Sequence, residues 1–311
     1  MRILITGGAG FIASHLQDAF LAAGHEVAVL DNLATGQKAN LSSESRFYEL
    51  DIRDAGVDRV FAEFQPEAIS LHAAQMDVRR SVEDPVYDCQ VNGLGMLNLL
   101  EAARRHAVKK VIFASTGGAI YGEQEVYPAD ENHPTQPASP YGITKLLGEN
   151  YLHFYQETYG IESVALRYAN VYGPRQNPHG EAGVVAIFAL KLLKGEVPTI
   201  NGDGLQTRDY VFVEDVVRAN MLALKPGVRG VYNVGTGIET DVVQIYQGLA
   251  QGLGVQSAPR HGPAKAGEQK RSVISAAKIG KELGWKPQIP LAEGLKRTLE
   301  YFRNVNPGRR P

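Results

Sequence analysis

Basic excess, paired cysteines and long apolar runs are all missing from this 311-residue chain. Lysine and arginine number 32 against 34 aspartates and glutamates, a net charge of -2. Such a balance leaves no basic footprint for nucleic acid or an anionic membrane surface. The single cysteine, Cys89, cannot form an internal disulfide, which fits a reducing compartment. No apolar run approaches the roughly 18 residues of a membrane span. The first residues, Met1-Arg2-Ile3-Leu4-Ile5, are strand-like and too short for a secretory apolar region. A cytoplasmic protein without nucleic-acid or membrane partners is expected. We assign no metal ligands. What is present is an ordinary globular balance, 44% hydrophobic and 21% charged, with length for one large domain or two modest ones.

Ile3-Leu4-Ile5 reads as a buried parallel strand. It runs into Thr6-Gly7-Gly8-Ala9-Gly10-Phe11-Ile12-Ala13, and Ser14 to Ala23 is helical in pattern. Glycines between a strand and a helix permit a tight turn and let backbone N–H groups approach a pyrophosphate. A second strand, Glu26 to Leu30, ends at Asp31, 21 residues past Gly10. The spacing suits an acid that accepts from ribose hydroxyls and repels a 2′-phosphate, so NAD is preferred over NADP. The alternative is that Asp31 caps a turn before Asn32. Further strands end at Asp51-Ile52, beside which an adenine can stack, and at His72-Ala73-Ala74-Gln75, where small residues let the chain pass close to a cofactor. His72 reads as structural. Ser81 to His106 reads as one long helix, in which Asn92 is a polar residue among Val91, Leu94 and Leu97 and needs a partner. Packing against a neighbouring loop and a place in a proton relay are both open.

The strand Lys110 to Ala114 leads into Ser115-Thr116-Gly117-Gly118-Ala119, and ligands of open α/β sheets bind at such ends. The loop from Glu123 to Ser139 is rich in proline and polar residues and suits a rim or lid. Pro140 then opens a helix carrying Tyr141 and Lys145, which fall on one face. A free phenol has a pKa of about 10. A nearby ammonium is expected to pull the Tyr141 phenol down toward the working range.

These motifs, with Arg167-Tyr168-Ala169-Asn170-Val171-Tyr172-Gly173-Pro174, resemble the extended short-chain dehydrogenase/reductase family, in order and over nearly the whole length. The resemblance implies an α/β fold: a doubly wound parallel sheet (Rossmann) with a smaller α+β substrate-binding C-terminal domain. Residues 1–173 would bind NAD, with later segments near 208–235 returning to them, and residues 174–311 would bind substrate. Within the family the similarity is greatest to members that epimerise a UDP-hexose at C4 through a 4-keto intermediate, as homodimers. Tyr141 then corresponds to the base, Lys145 to its support, Asn92 to a relay residue, and Thr116, with Ser115 in reserve, to the hydroxyl partner. The implied NAD contacts are Gly7, Gly10, Phe11, Ile12, Asp31, Asn32, Asp51, Ile52, Ala73, Ala74, Tyr141, Lys145 and Tyr168, the last beside the nicotinamide.

The implied substrate contacts are Asn170 and Arg208 on the diphosphate, Val184 in a helix from Glu181 to Gly195, Lys265, and Ser272 beside the sugar's 2-substituent. Lys265 stands where the family offers an arginine and gives a point charge without a fork. For Arg208 a surface salt bridge is the alternative, and for Ser272 an ordinary loop hydroxyl. Trp285 reads as packing. The rival activities are a sugar-nucleotide 4,6-dehydratase, a UDP-glucuronate decarboxylase and an NAD-sensing protein without catalysis. The first two typically place acids after the Ser/Thr, where this chain has Gly117, Gly118 and Ala119. The third has no need of Tyr141 and Lys145.

Overall fold

A computed structural model describes residues 1–178, 183–264 and 269–305. The strands in chain order are β1 (Arg2–Thr6), β2 (Glu26–Asp31), β3 (Arg46–Glu49), β4 (Ala68–Leu71), β5 (Lys110–Thr116), β6 (Glu162–Tyr168), β7 (Asn170–Tyr172), β8 (Thr199–Asn201), β9 (Thr207–Phe212), β10 (Gly230–Val234), β11 (Glu239–Asp241), β12 (Arg260–Gly262) and β13 (Arg271–Ser272). The α-helices are α1 (Phe11–Ala22), α2 (Val57–Phe64), α3 (Val78–Glu83), α4 (Pro85–Cys89), α5 (Met96–Arg105), α6 (Pro140–Tyr159), α7 (Val184–Leu193), α8 (Val213–Ala223), α9 (Val242–Leu253), α10 (Ala277–Leu283) and α11 (Leu291–Val305).

Seven strands form one parallel sheet in the order β3-β2-β1-β4-β5-β6-β10. Both faces are covered, which is why the strands read as continuous apolar runs. Val57, Phe61, Leu99 and Leu152 pack one face. Leu16 and Phe20 of α1 and Val216 and Ala219 of α8 pack the other. Strand β10 and helix α8 thus return to the first sheet, and Ile279 of α10 and Trp285 join the same core. A third core gathers Phe188, Tyr246 and Leu299 from α7, α9 and α11 over the small sheet built on β9. The large sheet's order reverses between β1 and β4, which opens a crevice at the strands' carboxyl ends.

The single helix expected over Ser81 to His106 is interrupted. Helix α3 stops at Glu83, and Asp84 (φ -138°, ψ 77°) breaks the run and caps α4 by accepting from the Tyr87 N–H at 2.9 Å. The cause is Pro85, which lacks an N–H and disfavours the helical conformation in the residue before it. After α4 the backbone widens into a π-helical stretch, Gln90–Gly95, before α5.

Candidate active site

The glycine loop closes the first βα turn. Gly7 has φ +71°, and a Cβ there would lie 2.7 Å from the Ala73 nitrogen. Only glycine permits both the conformation and this approach. Gly10 donates to the Gly7 carbonyl at 2.9 Å and caps α1 without a side-chain bond, so the helix N-terminus faces the crevice with its amides uncovered. Ile12 packs on the sheet's second core, whereas Phe11 reaches across to the third. His15 and Asp18 of α1 also meet the 174–175 turn, through the Pro174 carbonyl and Arg175.

Asp31 is buried and accepts from the Ala9 N–H at 3.0 Å and the Leu33 N–H at 2.8 Å. Burial raises its pKa, and the two backbone bonds oppose the rise. Asp31 therefore does organise a turn, as the alternative held, while tying that turn to the glycine loop. Asn32 donates to Asp51 at 2.8 Å. Asp51 is held well below the usual carboxylate range by hydrogen bonds from Arg53. Ile52 is buried, and Ala73 and Ala74 are half-buried at the end of β4.

Helix α6 starts at Pro140 with Ser139 as its cap, accepting from the Gly142 N–H at 3.2 Å. This cap places Tyr141 and Lys145 in the first turns, beside the ends of β5 and β6. Lys145 is buried, its Nζ donating to the Ala114 carbonyl at 2.9 Å and lying 5.7 Å from the centre of the Tyr141 ring. Burial pushes the Lys145 ammonium down to about 8, with the Asp88 carboxylate opposing. The Tyr141 phenol moves up, through burial first and then Asp88. This corrects the expectation of a phenol lowered by the ammonium. Desolvation of the phenolate outweighs a lysine whose own charge is weakened by burial.

Ser115 and Thr116 point to different fates. The Ser115 hydroxyl is buried and donates to Glu149 at 2.5 Å. Thr116, half-buried at the tip of β5, pairs in register with Tyr168. Asn92 takes the packing partner that was one of its two readings. It accepts from the Gln75 N–H at 2.8 Å and donates to the Gln75 carbonyl at 2.9 Å. It also reaches Asp88 at 3.0 Å and Thr144 at 3.3 Å. The π-helical stretch is what turns it toward these groups.

Tyr168 closes β6. Its ring is buried in the second core, and its hydroxyl is engaged by Asn220 at 2.8 Å and His72 at 3.2 Å. What it leaves at the crevice is backbone: its carbonyl accepts from the Gly117 N–H at 2.8 Å. Alternation along β6 turns the side chain inward. His72 is pushed down to about 3 by burial, with Lys145 adding to it, so it is neutral.

On the substrate side, Asn170 opens β7 and Val184 opens α7, both half-buried. Arg208 on β9 forms no ion pair among the described residues and donates only to the Thr207 carbonyl, at 2.8 Å. The salt bridge held as its alternative is not formed among the described residues. Ser272 is buried on β13, in register with Arg208. Lys265 lies outside the described residues. The loop from Glu123 to Ser139 is fastened to the 269–275 segment, through Gln269 on the Gly122 carbonyl and Gln124, Ala129 and Ser275 around Val273. Sequence reasoning missed Asp88, Gln75 and the Glu149–Arg167 pair, because their partners are distant in the chain.

Sheet order and glycine loop define a doubly wound dinucleotide-binding protein, with Tyr141 and Lys145 on one helix beside its cleft. The model of the NAD dependent epimerase/dehydratase family matches residues 3–235, and the chain belongs to that family. It is 47% identical to the UDP-glucose 4-epimerase of Mycolicibacterium smegmatis, over 98% of this chain and 99% of that one. The crystal structure of UDP-glucose 4-epimerase from Thermotoga maritima with UDP-glucose matches with a TM-score of 0.96 at 48% identity, covering 98% and 99% of the two chains. The Thermus thermophilus UDP-glucose 4-epimerase in complex with NAD matches with a TM-score of 0.93 at 49% identity, covering 98% and 100%.

Proposed function

We propose that the protein is an NAD-dependent 4-epimerase that interconverts UDP-glucose and UDP-galactose. The observation that carries this reading is the Tyr141–Lys145 pair at the crevice of a chain that shares 49% identity with an NAD-bound UDP-glucose 4-epimerase over nearly its full length. The glycine loop fits the cofactor, since Gly10 caps α1 without a side-chain bond and leaves the first amides of the helix to face a pyrophosphate. Gly7, Gly10, Phe11, Ile12, Asp31, Asn32, Asp51, Ile52, Ala73, Ala74 and the backbone at Tyr168 would hold it. When bound, NAD supplies an acceptor that takes a hydride from the sugar's C4 and returns it to the opposite face. Tyr141 removes the proton of the 4-hydroxyl and gives it back to the same oxygen of the turned 4-keto sugar. Thr116 donates to that oxygen, and the Lys145 ammonium supports the tyrosinate and the ribose. Asn170, Arg208 and Lys265 hold the diphosphate, and Val184 covers the substrate. Arg208, with no carboxylate competing for its fork among the described residues, is suited to this task. Dehydration or decarboxylation would call for an acid after Thr116, and Gly117 to Gly122 provide none.

Incubation of the pure protein with UDP-glucose is expected to yield UDP-galactose. Nucleotide extracted from the protein is expected to be NAD(H), because the Asp31 carboxylate would repel a 2′-phosphate. Predominant NADP(H), or no UDP-galactose, would reverse these assignments.

The sugar's 2-substituent is proposed to lie beside Ser272, where a small side chain would admit an N-acetyl group. UDP-N-acetylglucosamine is expected to be a substrate, and Ser272→Tyr is expected to lower its kcat/KM at least about tenfold relative to UDP-glucose. An unchanged ratio would remove Ser272 from the pocket wall.

We also propose a homodimer and a cytoplasmic location. Val86, Leu94 and Ile143 are 65%, 60% and 54% exposed on adjoining helical segments, an apolar stripe that a two-fold contact would cover. Leu97 of α5 and Leu146 and Leu147 of α6 are half-buried. Light scattering at micromolar concentration is expected to give twice the chain mass, and the chain mass itself would refute the dimer. Cys89 is free and exposed, as suits a reducing compartment. Among the described residues no helix is long and apolar enough to cross a membrane.

A further inference from the structure

Asp88 is fully buried on α4, yet no lysine, arginine or histidine among the described residues forms an ion pair with it. A buried carboxylate in that position needs donors, and three converge on it. Thr144 donates its hydroxyl at 2.8 Å, Gln75 its amide at 2.9 Å and Asn92 its amide at 3.0 Å. They come from α6, from the loop after β4 and from the π-helical stretch. An amide N–H and a hydroxyl engaged in this way use the carboxylate oxygens as acceptors. Thr144 immediately precedes Lys145 and accepts no cation in return. The charge therefore sits beneath the first turns of α6, with hydrogen bonds but no counter-ion in direct contact.

We propose that Asp88 is the electrostatic positioning residue of the Tyr141–Lys145 pair: its caged carboxylate, held against α6 through Thr144, favours the protonated form of the Lys145 ammonium in a buried site and disfavours the tyrosinate. This rests on the reading of Tyr141 and Lys145 as the acid/base pair. Both groups respond to Asp88 in the same direction, upward. The remaining charged groups on the packed elements do not compete. Arg79, Arg80 and Glu83 of α3 and the capping Asp84 are exposed. Asp77 caps α3 through the Arg79 and Arg80 N–H groups. His72, the titratable group at the end of β4, is neutral. Glu149, further along α6, is committed to Arg167.

The test is to follow the ε-carbon resonance of Lys145 by NMR against pH, in protein carrying 13C-labelled lysine, with the signal assigned by its loss in Lys145→Met. The parent is expected to titrate at about 8. In Asp88→Asn the midpoint is expected about one pH unit lower, as befits removal of a nearby opposite charge. Both limbs of the kcat–pH profile are expected to move to lower pH with it, because Tyr141 ionises earlier and Lys145 loses its proton earlier. Asp88→Ser removes the same charge in a side chain that fits the space, and gives the same reading should the asparagine variant not fold. Thr144→Val removes a bond to the carboxylate but not the charge, and is expected to leave the Lys145 midpoint in place. An unchanged midpoint in the neutral Asp88 variants, or an equal fall in Thr144→Val, would overturn the proposal and make Asp88 a packing residue. The titration needs no sugar, so it reads Asp88 even if the parent forms no UDP-galactose, a result that would strike the assigned reaction instead.

Discussion

Tyr141→Phe is expected to reduce turnover about 10²–10⁴-fold while leaving the fold and the bound nucleotide unchanged. The variant loses one oxygen from a ring that is already half-buried, so the packing of α6 is kept. That phenol forms no hydrogen bond to another side chain among the described residues, so its removal strands no buried partner. What disappears is the only group on this face of α6 able to take a proton from a sugar hydroxyl. The Lys145 ammonium is bonded to the Ala114 carbonyl and cannot substitute as a base while protonated. Steady-state assay with UDP-glucose, beside circular dichroism and nucleotide extraction, reads each part separately. Turnover within about threefold of the parent would remove Tyr141 from the reaction.

Glu149→Ala is expected to cost about 3–5 kcal/mol of folding stability, the range for removing one member of a buried ion pair. Arg167 meets Glu149 through two bonds, Nε to Oε1 at 2.9 Å and Nη2 to Oε2 at 2.6 Å. Both side chains are almost wholly enclosed, at 6% and 5% exposure. Without the carboxylate, the guanidinium is left with the Tyr121 hydroxyl at 2.9 Å and no carboxylate bonded to it. Ser115 loses its acceptor as well, which loosens the strand end that bears Thr116. Urea unfolding monitored by fluorescence or circular dichroism gives the change in midpoint and slope. The double variant Glu149→Leu/Arg167→Met is expected to recover most of the loss, because an apolar pair carries no desolvation penalty. A loss under about 1 kcal/mol in the single variant would mean that water reaches the Arg167 guanidinium.

The fold was legible where local chemistry decides it. Ile3-Leu4-Ile5 and the apolar run of β5 are buried on both faces and could be read as parallel strands directly. The turn between β1 and α1 is dictated by Gly7, whose place no other residue can take. Tyr141 and Lys145 were legible because helical spacing alone puts them on one face. The break at Asp84-Pro85 carried its own signal, a capping residue before a proline, but the apolar pattern on either side masked it. No local signal announces the π-helical stretch. The inward turn of Tyr168, the cage around Asp88 and the Glu149–Arg167 pair depend on contacts between residues far apart in the chain. The direction of the Tyr141 shift depends on how deeply the finished cleft removes water, which spacing on a helix does not encode.

The return of the chain to its first sheet bears on how the protein is made. A ribosome delivers residues in order, and N-terminal domains generally fold as units during synthesis. Here the core over α1 is completed by Val211, Val216, Ala219, Ala223, Tyr232, Val234, Ile279 and Trp285. Strand β6 stays an open edge until β10 arrives. The nascent cofactor-binding half therefore waits, with an apolar face and a strand edge uncovered, until almost the entire polypeptide has emerged. Its closure is therefore late, and the third core, which takes Phe11 from α1, is completed later still by Leu295, Leu299 and Phe302.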